Sequence, residues 1–494
     1  MAAAPETPEP IPDDASAVAA RLDKLRRIEA LGIDPWGGRF DGHQPVEQIL
    51  ALNCIPLDDN PTEAVVAAGR IVLRRDMGKA HFLQLRDQTG TVQIWIGKQQ
   101  IGDAGWTLAQ LFDLGDLIGV RGVFGKTRKG EPTIRAEQLT ILSKSLEPHP
   151  EKYHGMSDIE YRLRRRYLDL VYTPETLDRT KKRVLIMRTI RRYLDDRGFM
   201  EVETPTLHTI AGGAAARPFN THHNALDIPL VLRIALELHL KRLLIGGLER
   251  VYEMGRVFRN EGISQKHNPE FTMLELYQAY GDYRSMMDLT EGLMVACADA
   301  LGGGRTLQWG DKTVSLEPPF QRLQYGALFQ EHVGVEMSDI EGVLKAAQTR
   351  HINTVNKEHD VIVHELFEAC VEDKLTGPVF VYDYPAALCP LTKRKNDNPA
   401  IAERFEMYVH GMELANAYTE LNDPITQEAT FRRQLVGMKD EDSMAKMDDD
   451  FILAQRHGMP PAGGLGIGID RFCMLLTNTM SIRDVILFPL LKPQ

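Results

Sequence analysis

The chain is poor in several features that would fix its class at once. Its five cysteines (Cys54, Cys297, Cys370, Cys389 and Cys473) are scattered through 494 residues and form no close pair. That excludes a thiolate metal ribbon or a disulfide framework and implies reduced thiols. No apolar run approaches the length needed to span a bilayer. The first fourteen residues have neither the cationic nor the apolar region of a secretory leader. Rich in Ala, Pro, Glu and Asp, Met1 to Asp14 is expected to be a disordered tail. Positive charge is in deficit too: the net charge of −11 excludes wholesale electrostatic binding of nucleic acid but leaves room for a local basic surface. Internal repeats are absent. What remains is the composition of a soluble, cytoplasmic protein without membrane contact, too long for one core.

What is present changes character along the chain. Residues 1–60 are expected to hold the tail and one helix, Ser16 to Leu31, with Ser16 as N-cap. Val18, Leu22, Leu25 and Ile28 form its apolar face, and Arg21, Lys24, Arg26 and Arg27 a basic one. That basic face reads as solvated, or as a contact for a phosphate backbone. Residues 61–148 turn to short alternating strands: Val65 to Leu73, Ala80 to Arg86, Val92 to Ile96, Leu117 to Phe124 and Thr133 to Leu142. Five such strands in so short a span predict a small all-β barrel of the OB type. On it Arg75, Phe82 and Gln93 offer a cation, a stacking ring and an amide to an unstacked base, although Phe82 suits a core equally well.

Residues 149–175 read as a connector with a basic run, Arg162 to Arg166. From 176 to 494 the pattern is mixed α and β. A helix from Glu175 to Arg197, with Val184, Met187, Ile190 and Leu194 on one stripe, runs into a strand, Phe199 to Thr204, stopped by Pro205. Further on, Arg259-Asn260-Glu261-Gly262 separates two strand-like segments, Leu248 to Phe258 and Glu270 to Tyr277. This predicts a hairpin whose return strand carries Phe271, Met273, Glu275 and Tyr277 on one face. An aromatic, a carboxylate and a phenol beside an arginine make an odd core but a reasonable floor for a base, a phosphate and a cation. Taken alone, such a loop is more often a solvated turn.

These pieces, in this order, resemble the class II aminoacyl-tRNA synthetases, and among them the lysyl-tRNA synthetases of bacterial type. Residues 198–207 resemble motif 1, 257–275 motif 2, and 463–476, opening Gly463-Gly464-Leu465-Gly466-Ile467-Gly468-Ile469-Asp470-Arg471, motif 3. Gly212 to Phe219 and Asn416 to Asp423 resemble lysine-type segments in particular. The resemblance implies a multidomain protein: an N-terminal OB-fold anticodon-binding barrel, then an α+β catalytic domain built on a mostly antiparallel sheet with flanking helices. It also implies a homodimer joined through motif 1. The implied reaction is ATP-dependent activation of L-lysine, followed by transfer to the terminal adenosine of tRNA(Lys).

The implied roles follow residue by residue. Arg259 and Arg471 are the catalytic arginines, on the α- and γ-phosphates. Glu261, His267, Asn268 and Phe271 complete the ATP site, with Phe271 beneath the adenine. Gly213, Glu237, Glu275, Tyr277, Asn416, Tyr418 and Glu420 surround the lysine. Glu413 and Glu420 are the implied carboxylate ligands of Mg2+, of which the family holds up to three ions per subunit. Arg75, Phe82 and Gln93 are the implied anticodon readers.

The physics of the residue types agrees. A lysine site needs buried carboxylates, whereas an aspartate or asparagine site needs cations or amides. A substrate carboxylate is already a nucleophile, so positioning and charge stabilisation can carry the first step. Three departures stand out: Leu236 for a usual proline, Met412 for a usual Arg or Lys, and Ala387 for a usual glutamate. A protein-modifying lysine ligase is disfavoured by the OB domain. A catalytically dead relative is disfavoured by the presence of Arg259, Glu275 and Arg471.

Overall fold

Alternation decides the first half of the chain. In the computed structural model, which describes residues 14–59, 63–148, 156–214, 216–435 and 447–493, five strands close into a barrel in the order β1-β2-β3-β5-β4. They are β1 (Ala64–Met77), β2 (Ala80–Arg86), β3 (Thr91–Gly97), β4 (Leu117–Lys126) and β5 (Pro132–Ser143). Leu83, Leu85, Val92, Ile94 and Ile96 point inward and are buried to 2% exposure or less. Their neighbours on β2 and β3 face outward, as the two-residue period of a strand requires. The expected tail (1–13), the segment 149–155 of the expected connector and Ala215 lie outside the described residues.

Helix α1 (Asp14–Ala30) begins before Ser16, which therefore lies inside the helix and is not its cap. Its basic face is only partly solvated. Arg21 is 9% exposed and donates to the carbonyls of Leu114 (3.0 Å) and Ser145 (2.9 Å), and Lys24 pairs with Asp113 at 2.5 Å. Two of the four basic residues thus tie the helix to the barrel, and Arg26 and Arg27 remain exposed. Helix α2 (Lys98–Gln110), between β3 and β4, has no counterpart in the sequence reading.

The chain divides into two compact units, Met1–Gly155 and Met156–Gln494. The end of the expected connector belongs to the second: Arg166 is 1% exposed, pairs with Asp169 at 2.6 Å and donates to the carbonyls of Arg483 and Leu487. Helix α3 (Pro174–Asp195) follows. Its buried stripe is Ile186, Ile190 and Leu194, whereas Val184 is 52% exposed. The expected motif 1 strand shrinks to β6 (Met200–Glu201), because the segment lies at a sheet edge and pairs with only Val251 and Tyr252.

The second unit is built on an eight-stranded sheet. Its other strands are β7 (Arg250–Phe258), β8 (Glu270–Ala279), β9 (Gln321–Gln324), β10 (Val379–Pro385), β11 (Ile401–Val409), β12 (Met412–Thr419) and β13 (Ala462–Gly468), in the order β9-β10-β11-β12-β13-β8-β7-β6. Only the two edge pairs, β9 with β10 and β6 with β7, are parallel. Strand β7 starts at Arg250, two residues later than expected. Leu248 still closes helix α4 (Glu237–Ile245), donating its N–H to the carbonyl of Leu243 at 3.0 Å. Helices α3 and α5 (Tyr283–Leu301) join one face of the sheet in a single apolar core. The other face carries the cavities.

Candidate active site

Three strands make the floor, and their two-residue period sorts it. On β8, Leu274 and Leu276 enter the core, while Phe271, Met273, Glu275 and Tyr277 lie on the opposite face. On β13 the core takes Leu465 and Ile467, leaving Gly464, Gly466 and Gly468 on the cavity side. Register aligns Glu275, Gly466 and Asn416 in one cross-strand row, and Tyr277, Gly464 and Tyr418 in the next. Each row is two functional side chains with a glycine between them. At the usual spacing of neighbouring strands the flanking residues stand about 10 Å apart, across a strip to which β13 itself contributes no side chain. That strip suits an extended ligand.

Two cavities open on this floor. The first, of about 410 Å³, is lined by Gly213, Glu237, Arg259, Glu275, Tyr277, Asn416 and Tyr418, among others. The second, of about 240 Å³, is lined by Arg259, Glu261, His267, Asn268, Phe271, Glu413 and Arg471. The structure therefore brings together all the expected ATP-site residues in one cavity, and all the expected lysine-site residues except Glu420 in the other. Arg259, Met273, Asn416 and Gly466 line both.

Arg259 begins the loop between β7 and β8, where its N–H donates to the carbonyl of Pro269 at 2.8 Å. Its guanidinium lies 5.3 Å from the centre of the Phe271 ring. Arg471 belongs to the first turn of α6 (Ile469–Leu476), a turn pinned by Asp470. That carboxylate accepts from the Thr272 N–H and pairs with Arg183, each at 2.7 Å. Arg471 in turn donates to the Glu413 carbonyl (3.0 Å) and lies 2.9 Å from His267 Nε2. Burial, then the nearby Arg471, lowers the affinity of the His267 ring for a proton. Asn268 is buried, and its side-chain oxygen has no partner among the described residues.

At the amino-acid end, Glu275 accepts from the Leu236 N–H at 3.0 Å and from the Tyr277 hydroxyl at 3.3 Å. Burial, then the charge of Glu237, pushes its pKa up to about 7. Glu420 is fully buried and is not a residue of the cavity wall; its carboxylate lies over Gly464 beside Tyr277, where a Cβ on Gly464 would stand 1.9 Å from Oε1. It is ion-paired with Lys241, which also binds Glu237 Oε1 at 2.5 Å. The sequence reading missed Lys241, although its signal was legible: Glu-x-x-x-Lys places Glu237 and Lys241 on one helix face.

Glu413 and Glu420 are not brought together. Glu420 stands seven positions beyond Glu413, just past the end of β12, about 23 Å along a straight strand at the usual rise. Of the two, only Glu413 lines the second cavity. Burial, then the charge of Glu406 on β11, pushes the Glu413 carboxyl up, so a second carboxylate stands nearby. Arg471 opposes that shift, its Nη1 standing 3.5 Å from Glu413 Oε2, so this one carboxylate would hold a divalent cation only with water and phosphate as the remaining ligands.

In the barrel unit, Phe82 lies outside the core on the outer face. It stands opposite Arg75 on β1 and Trp95 on β3. Gln93 shares the face and donates to Thr133 Oγ1 at 2.9 Å. Trp95 is an aromatic neighbour that the sequence reading did not single out.

Two apposed cavities share Arg259 on a mostly antiparallel sheet with the glycine strand β13 inside it. The family described as tRNA synthetases class II (D, K and N) matches residues 158–492, and the OB-fold nucleic acid binding domain matches residues 65–142. The chain belongs to the class II tRNA synthetases. Within that class it is similar to the lysine–tRNA ligase of Halalkalibacterium halodurans, at 48% identity over 486 residues covering 96% of each chain. It is also similar to those of Moorella thermoacetica (50% over 483 residues; 97% of this chain, 98% of the relative) and Pelotomaculum thermopropionicum (50% over 481 residues; 96% and 94%).

Proposed function

We propose that the protein activates L-lysine with ATP, releasing pyrophosphate, and then transfers the lysyl group to the 3′-terminal adenosine of tRNA(Lys). The observation that carries this is the carboxylate-rich cavity sharing Arg259 with the polyphosphate cavity. Lysine lies along the Gly464–Gly466 strip, its α-ammonium at Gly213 and Glu237 and its side chain running toward Tyr277 and Glu420. Its carboxylate reaches Arg259, beside the α-phosphate. ATP takes the second cavity, with adenine on Phe271, Arg471 on the γ-phosphate, and Glu261, His267 and Asn268 around base, ribose and phosphates. Mg2+ supplies charge neutralisation of the phosphates and would be held at Glu413. No side chain need abstract a proton in the first step, because the attacking carboxylate is already ionised; alignment and charge do the catalysis.

The test is ATP–pyrophosphate exchange, which lysine should support and aspartate or asparagine should not. Equal exchange with aspartate would sink the reading. The family relation also leads us to propose a homodimer through the motif 1 segment, and a cytoplasmic location.

Arg75, Phe82 and Gln93 are the proposed readers of the anticodon. Phe82→Ala should lower kcat/KM for tRNA charging about tenfold or more, from the roughly 1–3 kcal/mol of a base stacked on an aromatic ring. Pyrophosphate exchange should stay unchanged; charging at the wild-type rate would remove the role.

Glu275 adds a pH dependence. Its pKa in the free site stands at about 7, above the ordinary 4.5, so below about pH 7 it is protonated. Lysine brings an ammonium at each end into the same pocket, so it binds better when Glu275 is ionised. KM for lysine should therefore rise, by up to about tenfold per unit, as pH falls below 7, while KM for ATP changes little. The ligand-free protein should show the opposite trend, losing stability as pH rises from 4.5 through 7. A lysine KM flat between pH 6 and 8 would contradict this.

A further inference from the structure

Lys241 is fully buried at the inner end of the amino-acid cavity and is not part of its wall. Its ammonium contacts two carboxylates from different elements: Glu237 one turn earlier on α4, at 2.5 Å, and Glu420 beyond the end of β12. In each case it holds one oxygen and leaves the other pointing at a glycine of the cavity wall. On Glu237 it takes Oε1, and Oε2 lies 3.9 Å from where a Cβ of Gly213 would sit. On Glu420 it takes Oε2, and Oε1 lies 1.9 Å from where a Cβ of Gly464 would sit. Gly213 and Gly464 are the wall positions at the two ends of the proposed lysine path.

From this geometry, and resting on the lysine-site reading above, we propose that Lys241 is a positioning residue for specificity: one buried ammonium sets the orientation of both carboxylates that receive the substrate's two ammonium groups. The charges support it. Glu237, Glu275 and Glu420 bring three carboxyl groups and Lys241 one counter-charge. Burial raises Glu275 and Glu420 in the empty site; with lysine bound and all three ionised, two negative charges are left for its two ammonium groups, while the substrate carboxylate meets Arg259. Without Lys241, three acids would crowd one dry pocket with no fixed cation, and both oriented oxygens would be free to turn.

The experiment is ATP–pyrophosphate exchange by wild type, Lys241→Met and Lys241→Arg, with norleucine (no ε-ammonium) and 6-aminohexanoate (no α-ammonium) as competing inhibitors. For Lys241→Met, KM for lysine should rise about 10- to 100-fold, as expected when one partner of a buried charge cluster is removed, with KM for ATP within about twofold. The preference for lysine over each analogue should shrink together, since one residue serves both ends. Lys241→Arg should recover part of both preferences. A lysine KM within twofold of wild type, or unchanged preferences, would overturn the assignment. A parallel rise in both KM values would make Lys241 merely structural.

If Lys241→Met loses its cooperative thermal transition, Lys241→Gln is measured in its place; failure of both to fold also overturns the assignment. Wild type lacking lysine-dependent exchange would instead sink the site reading, and this proposal with it.

Discussion

Lysine-dependent pyrophosphate exchange is expected to fall by roughly 10³-fold in Arg259→Ala, the scale seen when a transition-state donor or arginine is removed from a phosphoryl-transfer site. Arg259 is the one cation lining both cavities, and it borders the strip where the lysine carboxylate would meet the α-phosphate. Its position is set twice, by the backbone bond to Pro269 and by the Phe271 ring beneath the guanidinium. A planar fork can hold a carboxylate and a phosphate oxygen at the same time; a point charge cannot. Arg259→Lys should therefore recover little. The loss should fall mainly on kcat, because charge builds on the transferring phosphoryl group in the transition state. Exchange kept within tenfold of wild type, in a variant with an unchanged melting temperature, would remove Arg259 from the chemistry.

Gly464→Ala should raise KM for lysine about 10- to 100-fold, corresponding to the roughly 1–3 kcal/mol of an overpacked core. A methyl at this position would lie 1.9 Å from Glu420 Oε1 and 2.6 Å from Tyr277 Cε1. Neither obstacle is a loose side-chain end: Glu420 is fully buried and Tyr277 is 4% exposed. One of them must move, and both face the proposed ε-ammonium. The nucleotide cavity does not include Gly464, so KM for ATP should hold. Gly303→Ala, whose added methyl would meet nothing within 4 Å, serves as the neutral control. Equal lysine KM values in the two variants would show that the strip is not where lysine binds.

Much of this was readable from residues alone, for a physical reason. Strand period is rigid, so Phe271, Met273, Glu275 and Tyr277 could be assigned to one face from the sequence. The barrel strands were equally legible, each bounded by turns. What escaped detection depends on partners distant in sequence. Arg21 and Lys24 looked like a solvated face because nothing nearby reveals Leu114, Ser145 or Asp113. Helix α2 escaped because Gly102 breaks it with a φ of 73°. Glu413 and Glu420 were paired as Mg2+ ligands by the resemblance, and nothing near them in the sequence reveals that Glu420 meets Lys241 while Glu413 lines the second cavity. Lys241 was visible as a helix partner of Glu237, but Glu420, the contact that gives it meaning, is 179 residues further on.

The wall common to both cavities has a thermodynamic consequence. Arg259, Met273, Asn416 and Gly466 border the amino-acid space on one side and the nucleotide space on the other. A ligand that meets Arg259 from one side would change the charge and space that the ligand on the other side encounters. The two affinities are then linked by a single coupling free energy, and linkage requires that lysine tighten ATP by the same factor as ATP tightens lysine.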